Sequence, residues 1–167
     1  MSSPGLFAAG IFANEMGQRL LQILLKLGDR GFAALYEKCK PNLGEYYETG
    51  LRRVHMWSDE CFREDIAFVQ TQCPDMEETY EACFSQYVTE RFRGRTRQSI
   101  CIPSLLEFVK RFLESLGQHQ LLETGEYFTS RDLAHKRIAC MDACRQALFA
   151  VVTTENVRVE LASEAGT

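Results

Sequence analysis

The chain has 167 residues, 46% of them hydrophobic and 25% charged, with a formal net charge of −4. That length suits one domain with one buried core, and a composition near the globular average excludes wholesale disorder. The acidic balance, with a sequence pI near 5.5, argues against nucleic acid as the main partner, because phosphate binding draws on a broad excess of Lys and Arg.

Met1 to Gly5 carries no basic region ahead of an apolar stretch and no small-residue cleavage pattern, and Ser2 stands where myristoylation requires glycine. These features lead us to expect an intracellular protein, with the cytoplasm ahead of the mitochondrial intermembrane space. Leu6 to Leu27 is the most apolar stretch. Asn14, Glu15, Gln18, Arg19 and Gln22 collect on one stripe of it, which predicts a wide-faced amphipathic helix. Glu15 and Arg19 near its middle make a membrane span costly, while contact with a membrane surface stays open. Phe7, Ile11 and Leu25 continue the apolar arc around from Phe12, so Phe7, Ile11, Phe12 and Leu25 are candidate partner-binding residues. Gly28-Asp29-Arg30-Gly31 reads as a stop followed by an Asp cap, and Phe32, Leu35, Tyr36 and Cys39 mark a short second helix ended by Pro41. Asn42 to Gly50 predicts a turn or a short helix packed by Tyr46 and Tyr47.

Ser58-Asp59-Glu60 places a capping hydroxyl and two acids at a helix start, and Phe62, Ile66, Val69 and Cys73 repeat at helical steps behind it. Pro74 opens the next helix, with Met76, Tyr80, Cys83, Phe84, Tyr87 and Val88 as its apolar stripe, closed by Arg91 and Arg93 before Gly94. Pro103 opens another, whose Leu105, Leu106, Val109, Phe112, Leu113 and Leu116 share a side and which Gly117 should end. Thr129-Ser130-Arg131-Asp132 resembles a capping box with Asp in place of Glu. It introduces a helix from Leu133 to about Val152, with Ile138, Met141, Leu148 and Val152 as its repeat. Val157 to Leu161 alternates like a strand, which would be unstable alone, and Ala162 to Thr167 reads as a frayed end.

Seven cysteines leave at least one unpaired in a monomer. Buried reduced thiols acting as small hydrophobes are the default. Nine residues separate Cys73 from Cys83 and eleven separate Cys61 from Cys73, and this spacing resembles the twin Cys-x9-Cys proteins of the intermembrane space. That resemblance implies two antiparallel helices stapled by disulfides, with Cys61, Cys73, Cys83 and Cys101 as the partners, in an accessory subunit of a mitochondrial membrane complex. The chain departs from the pattern after Cys83, where no cysteine follows until Cys101. Cys140 and Cys144 share a helical face with His135 near them, but a zinc site needs a second such pair.

His55, His119 and His135 stand beside polar or basic residues, and no phosphate loop, dinucleotide fingerprint, zinc-protease or nucleophile-elbow motif is present. No catalytic, cofactor-binding or metal residue is therefore nominated, and no cofactor is expected. Arg91, Arg93, Arg95 and Arg97 form the densest basic run. It reads either as a helix C-terminus complementing its dipole or as a contact for an acidic protein or an anionic lipid head group. The segment from Arg19-Leu20-Leu21 through Arg30-Gly31-Phe32-Ala33-Ala34-Leu35-Tyr36 resembles the later helices of caspase-recruitment domains, which implies a death-fold adaptor.

The sequence thus predicts an all-α protein, an irregular bundle of five or six helices over residues 1–152 with a short C-terminal tail at 153–167. Its expected role is a non-enzymatic interaction or structural protein, an accessory subunit of a larger assembly with protein partners. A helical enzyme or ligand carrier is the rival, and it would need polar groups converging in a core cavity.

Overall fold

Helix α1 (Glu15–Lys38) is the axis of the fold, and its surroundings set the position of everything else. The structure, a computed structural model, describes residues 10–39, 43–91, 96–100, 102–122, 128–154 and 159–161. The Asn14 side chain caps α1 by accepting from the Gly17 amide at 2.8 Å, satisfying one of the free donors of a helix start. Leu20, Leu21, Leu24, Leu27 and Phe32 then bury one face against α3 (Asp59–Gln72), α4 (Met76–Arg91) and α6 (Leu133–Thr154). A π-helical turn at Leu43–Tyr47 leads into the short α2 (Glu48–Arg52), and α5 (Leu105–Leu122) completes an all-α bundle of six helices among the described residues.

The helix starts follow the expected chemistry. Ser58 accepts from the Cys61 amide at 3.2 Å, Ser104 from Glu107 at 3.2 Å and Asp132 from His135 at 2.9 Å. The last of these corrects the predicted box: Asp132 is itself the cap, and Thr129 belongs to a preceding 3-10 turn at Phe128–Ser130. The α4 stripe is buried as predicted at Met76, Tyr80, Cys83, Phe84 and Val88, with Tyr87 half-buried. Its Tyr80 ring stacks on Phe108 of α5 at 4.7 Å and its hydroxyl donates to the Pro103 carbonyl at 2.8 Å.

Three expected boundaries are overturned. The apolar stretch ahead of α1 is not one helix, because Ile11–Ala13 forms a 3-10 turn and Asn14 resets the backbone. Gly28-Asp29-Arg30-Gly31 is no stop, and α1 runs through it; this also carries the segment that resembled separate recruitment-domain helices on one continuous helix. Gly117 lies inside α5. In the two glycine cases the missing side chain serves packing. A Cβ on Gly28 would sit 2.9 Å from the Phe128 ring, and one on Gly117 would sit 3.2 Å from Val54.

Helix α6 packs on α5 more extensively than any other helix pair; of its expected repeat Leu148 and Val152 are buried, but most of its buried positions are ones the large apolar residues did not mark. Ala139, Cys140, Ala143, Cys144 and Ala147 are buried there, whereas Ile138 is 55% exposed. The tail is not wholly free. Strand β2 (Val159–Leu161) pairs antiparallel with β1 (Thr96–Ile100), Thr96 opposite Leu161 and Ile100 opposite Val159, with an irregularity between. No described helix is long and apolar enough to cross a membrane.

Candidate functional site: a cleft between helices α1 and α3

Helices α1 and α3 run antiparallel. Near the start of α1, Arg19 grips Asp75, just beyond α3, through Nε at 2.8 Å and a terminal nitrogen at 2.7 Å. Further along, Arg30 reaches Asp65 in the middle of α3. Beyond that pair, Gly31, Ala33 and Ala34 present almost no side chain, and the two helices leave an open cleft of about 620 Å³ lined also by Leu35, Lys38, Cys61 and Glu64. Trp57, immediately before the Ser58 cap, closes one side, its ring held 5.9 Å from Phe32 and 5.8 Å from Phe62. The floor is small and apolar while the rim carries both signs of charge, a combination that suits recognition of an amphipathic occupant.

The electrostatics centre on Asp65, which is only 8% exposed. Its Oδ1 accepts from Arg30 Nε at 3.2 Å, longer than a good charge-assisted contact. The Arg30 guanidinium is drawn instead over the Phe68 ring, 4.3 Å from its centroid. Burial pushes the Asp65 carboxyl above its ordinary value, and Arg30 offsets that only in part. Burial also pushes the neighbouring Cys61 thiol up, helped by the charges of Asp65 and Glu64. A thiol held protonated is a poor nucleophile. Glu64 and Lys38 form no ion pair among the described residues.

No family model, curated protein or solved structure matches the chain.

What the cleft can do therefore follows from its own geometry. A second cleft, of about 240 Å³, lies between the α2 region and α5, lined by His55, Arg52, Glu114 and Gln118. Neither cleft is lined by Tyr80 or Tyr87, the aromatics that would have marked a core cavity of a ligand carrier. No group of three or more His, Cys, Asp or Glu able to hold a metal occurs among the described residues.

The residues nominated from sequence are scattered. Ile11 and Phe12 are each 4% exposed and belong to the core, which corrects their assignment to an outer face. They turn inward because Asn14 ends their turn before α1 begins, so they do not continue the α1 arc. Leu25 is half-buried against the same core. Arg91 ends α4 with its guanidinium over the exposed Phe149 ring at 4.9 Å. Phe7, Arg93, Arg95 and Cys101 lie outside the described residues, and of Arg97 only the backbone, in β1, is described.

The cysteines depart from the stapled pattern. Cys39, Cys61, Cys73, Cys83, Cys140 and Cys144 are free thiols, and all but Cys61 are buried. Cys61 and Cys73 belong to one helix and its cap, roughly 18 Å apart at 1.5 Å per residue, far beyond disulfide reach. The sequence reading passed over Asp65, Trp57 and the Gly31, Ala33, Ala34 group. The available signal was the lone tryptophan beside a helix cap and a run of small residues between Arg30 and Lys38.

Proposed function

We propose that this chain is a non-enzymatic protein-binding module, an accessory subunit that receives a segment of a partner protein in the α1/α3 cleft. The observation that supports this most is the form of the cleft: an open trough floored by Gly31, Ala33 and Ala34, walled by Trp57, and rimmed by the charges of Glu64 and Lys38. Aromatic anchors beside small-residue depressions are where interface energy concentrates, and rim charges set orientation and partner choice. Exposed Met56 and Phe68 extend apolar surface beyond the trough.

Ala34 is exposed on the cleft floor, so Ala34→Trp should fill the trough without disturbing the core. Wild type and Ala34→Trp protein, each purified from its native source under identical conditions, are compared by quantitative mass spectrometry alongside their melting curves. A partner recovered with the wild type and depleted at least tenfold with a variant of unchanged melting temperature supports the proposal. Equal recovery with both proteins overturns it.

A further inference from the structure

Helix α6 is apolar on both sides. Its inner face is fully buried at Cys140, Cys144 and Leu148, yet its outer line leaves Ile138 and Phe149 at 55% and 47% exposure. A half-buried helix ordinarily turns a polar face to water. Single exposed apolar side chains are common, and what gives these two meaning is the pair of charges between them. Ile138, Asp142, Arg145 and Phe149 follow one another at steps of four, three and four, which places them within an arc of about 60° along three turns. Asp142 and Arg145 keep 39% and 29% of their side-chain surface exposed. Arg91 of α4 lies 4.9 Å from the Phe149 ring centroid and leaves the ring accessible.

The stripe is self-complementary under a twofold rotation. A second α6 turned end over end about the level of residues 143 and 144 sets Ile138 opposite Phe149 and Asp142 opposite Arg145, each contact occurring twice. That reciprocity is what a twofold interface requires. Asp142 already pairs with Arg145 within the chain, and His119 of α5 stands 3.8 Å from it. Across the axis the four charges alternate, so each carboxylate gains a second guanidinium without losing its own. A parallel pairing would set Asp142 on Asp142 and Arg145 on Arg145. Sliding the antiparallel pair by four residues would set Asp142 against Phe149 or Met141, which leaves one matched register.

We propose that the outer stripe of α6 is a contact between two copies of this chain, paired antiparallel about a twofold axis at residues 143 and 144. The apolar ends supply the attraction, and the charges set direction and register, since exposed ion pairs add little affinity. One helix stripe is a small interface, so the dimer belongs to the weak class and dissociates between roughly 1 µM and 1 mM protein. The stripe shares no residue with the α1/α3 cleft, so either reading stands if the other fails.

Sedimentation equilibrium of the full chain across that concentration range measures the association. Ile138→Glu should weaken it at least tenfold while leaving the melting curve of the dilute protein unchanged. Asp142→Arg and Arg145→Asp should each weaken it at least tenfold, because each variant sets like charges face to face twice. Mixed in equal amounts, these two variants should bind each other at least tenfold more tightly than either binds itself, since both facing pairs then become opposite in charge. A benzophenone amino acid at position 138 should crosslink to the stretch around Phe149 of the second copy.

A wild type that stays monomeric throughout the range would overturn the proposal, as would association that neither Ile138→Glu nor the charge reversals weaken. Failure of the mixed variants to associate, or a crosslink from position 138 to position 138, would overturn the antiparallel register. If Ile138→Glu unfolds by circular dichroism, the exposed charge reversals and their mixture carry the same test.

Discussion

The buried hydroxyl of Tyr47 donates to Oε1 of Gln120 at 2.7 Å, and the same oxygen accepts the backbone N–H of Phe128 at 2.8 Å. One amide thus ties three separate pieces of chain: the turn before α2, the end of α5 and the turn before α6. Gln120 also donates to the Leu116 carbonyl at 3.3 Å, which fixes which end of the amide faces Tyr47. Tyr47→Phe removes the bond to Gln120 and should cost about 0.5 to 1.5 kcal/mol, whereas Gln120→Leu removes the shared acceptor of both buried donors and should cost more, roughly 1 to 3 kcal/mol for each donor it leaves. Urea unfolding of both single variants and the double variant checks this. The double variant should lose less than the sum of the singles, because Tyr47→Phe has already removed one of the stranded donors.

Replacing a helical glycine by alanine ordinarily stabilises by about 1 kcal/mol. At Gly28 the sign should reverse, because the new methyl would lie 2.9 Å from the Phe128 ring and 3.0 Å from Leu116, and overpacking of this kind costs about 1 to 3 kcal/mol. Gly17 is stricter, since a Cβ there would lie 1.8 Å from the Ile11 carbonyl oxygen, which is backbone and cannot rotate away. Thermal melts should place Gly17→Ala below Gly28→Ala and both below wild type. A rise for Gly28→Ala would contradict the packing described here.

Two aspartates on neighbouring ion pairs should titrate with opposite effects on stability. The Arg19 guanidinium holds the Asp75 carboxyl well below its usual value. Its contribution is therefore present above the ordinary carboxylate range and is lost as pH falls below about 4. Asp65 is pushed the other way by burial. Its charge is a penalty at neutral pH that is relieved as pH falls, so stability is lost as pH rises through its raised value. Melting temperatures from about pH 3 to 7 test both signs. The deficit of Asp75→Asn against wild type should shrink toward low pH, and the position of Asp65→Asn relative to wild type should improve toward neutral pH.

Ile11→Lys separates an outer face from a core. With Ile11 4% exposed, an unpaired ammonium would be buried, and the variant should lose several kcal/mol or unfold. A folded, unshifted variant by circular dichroism would return Ile11 to the surface.

Most of the bundle was legible in the sequence where large apolar residues repeat at helical steps. The α4 stripe and the Ser58 cap stand where periodicity and capping chemistry put them. What was illegible shares one physical cause. Gly28, Gly31 and Gly117 look like helix breakers along the chain, but across the fold they are contact points where another helix or ring occupies the space of a side chain. On α6 the expected Leu148 and Val152 are buried, but the earlier part of the buried face, built of Ala139, Cys140, Ala143, Cys144 and Ala147, was missed because small residues carry little apolar signal. The cleft was missed with it, since Gly31, Ala33 and Ala34 mark a site only once α3 and Trp57 are known to stand opposite. Asp65 gave no signal because an acid between Glu64 and Ile66 reads as surface, and its burial depends on Arg30 lying 35 residues away.

The central claim is that the α1/α3 cleft, and not another face, receives a partner protein. A photo-crosslinking amino acid placed at Ala34, on the cleft floor, and separately at Gln146, exposed on α6, tests it in the native setting. The account predicts a single dominant adduct to a different protein from Ala34 and none to a different protein from Gln146. Such adducts formed equally from both positions, or from Gln146 alone, would contradict it.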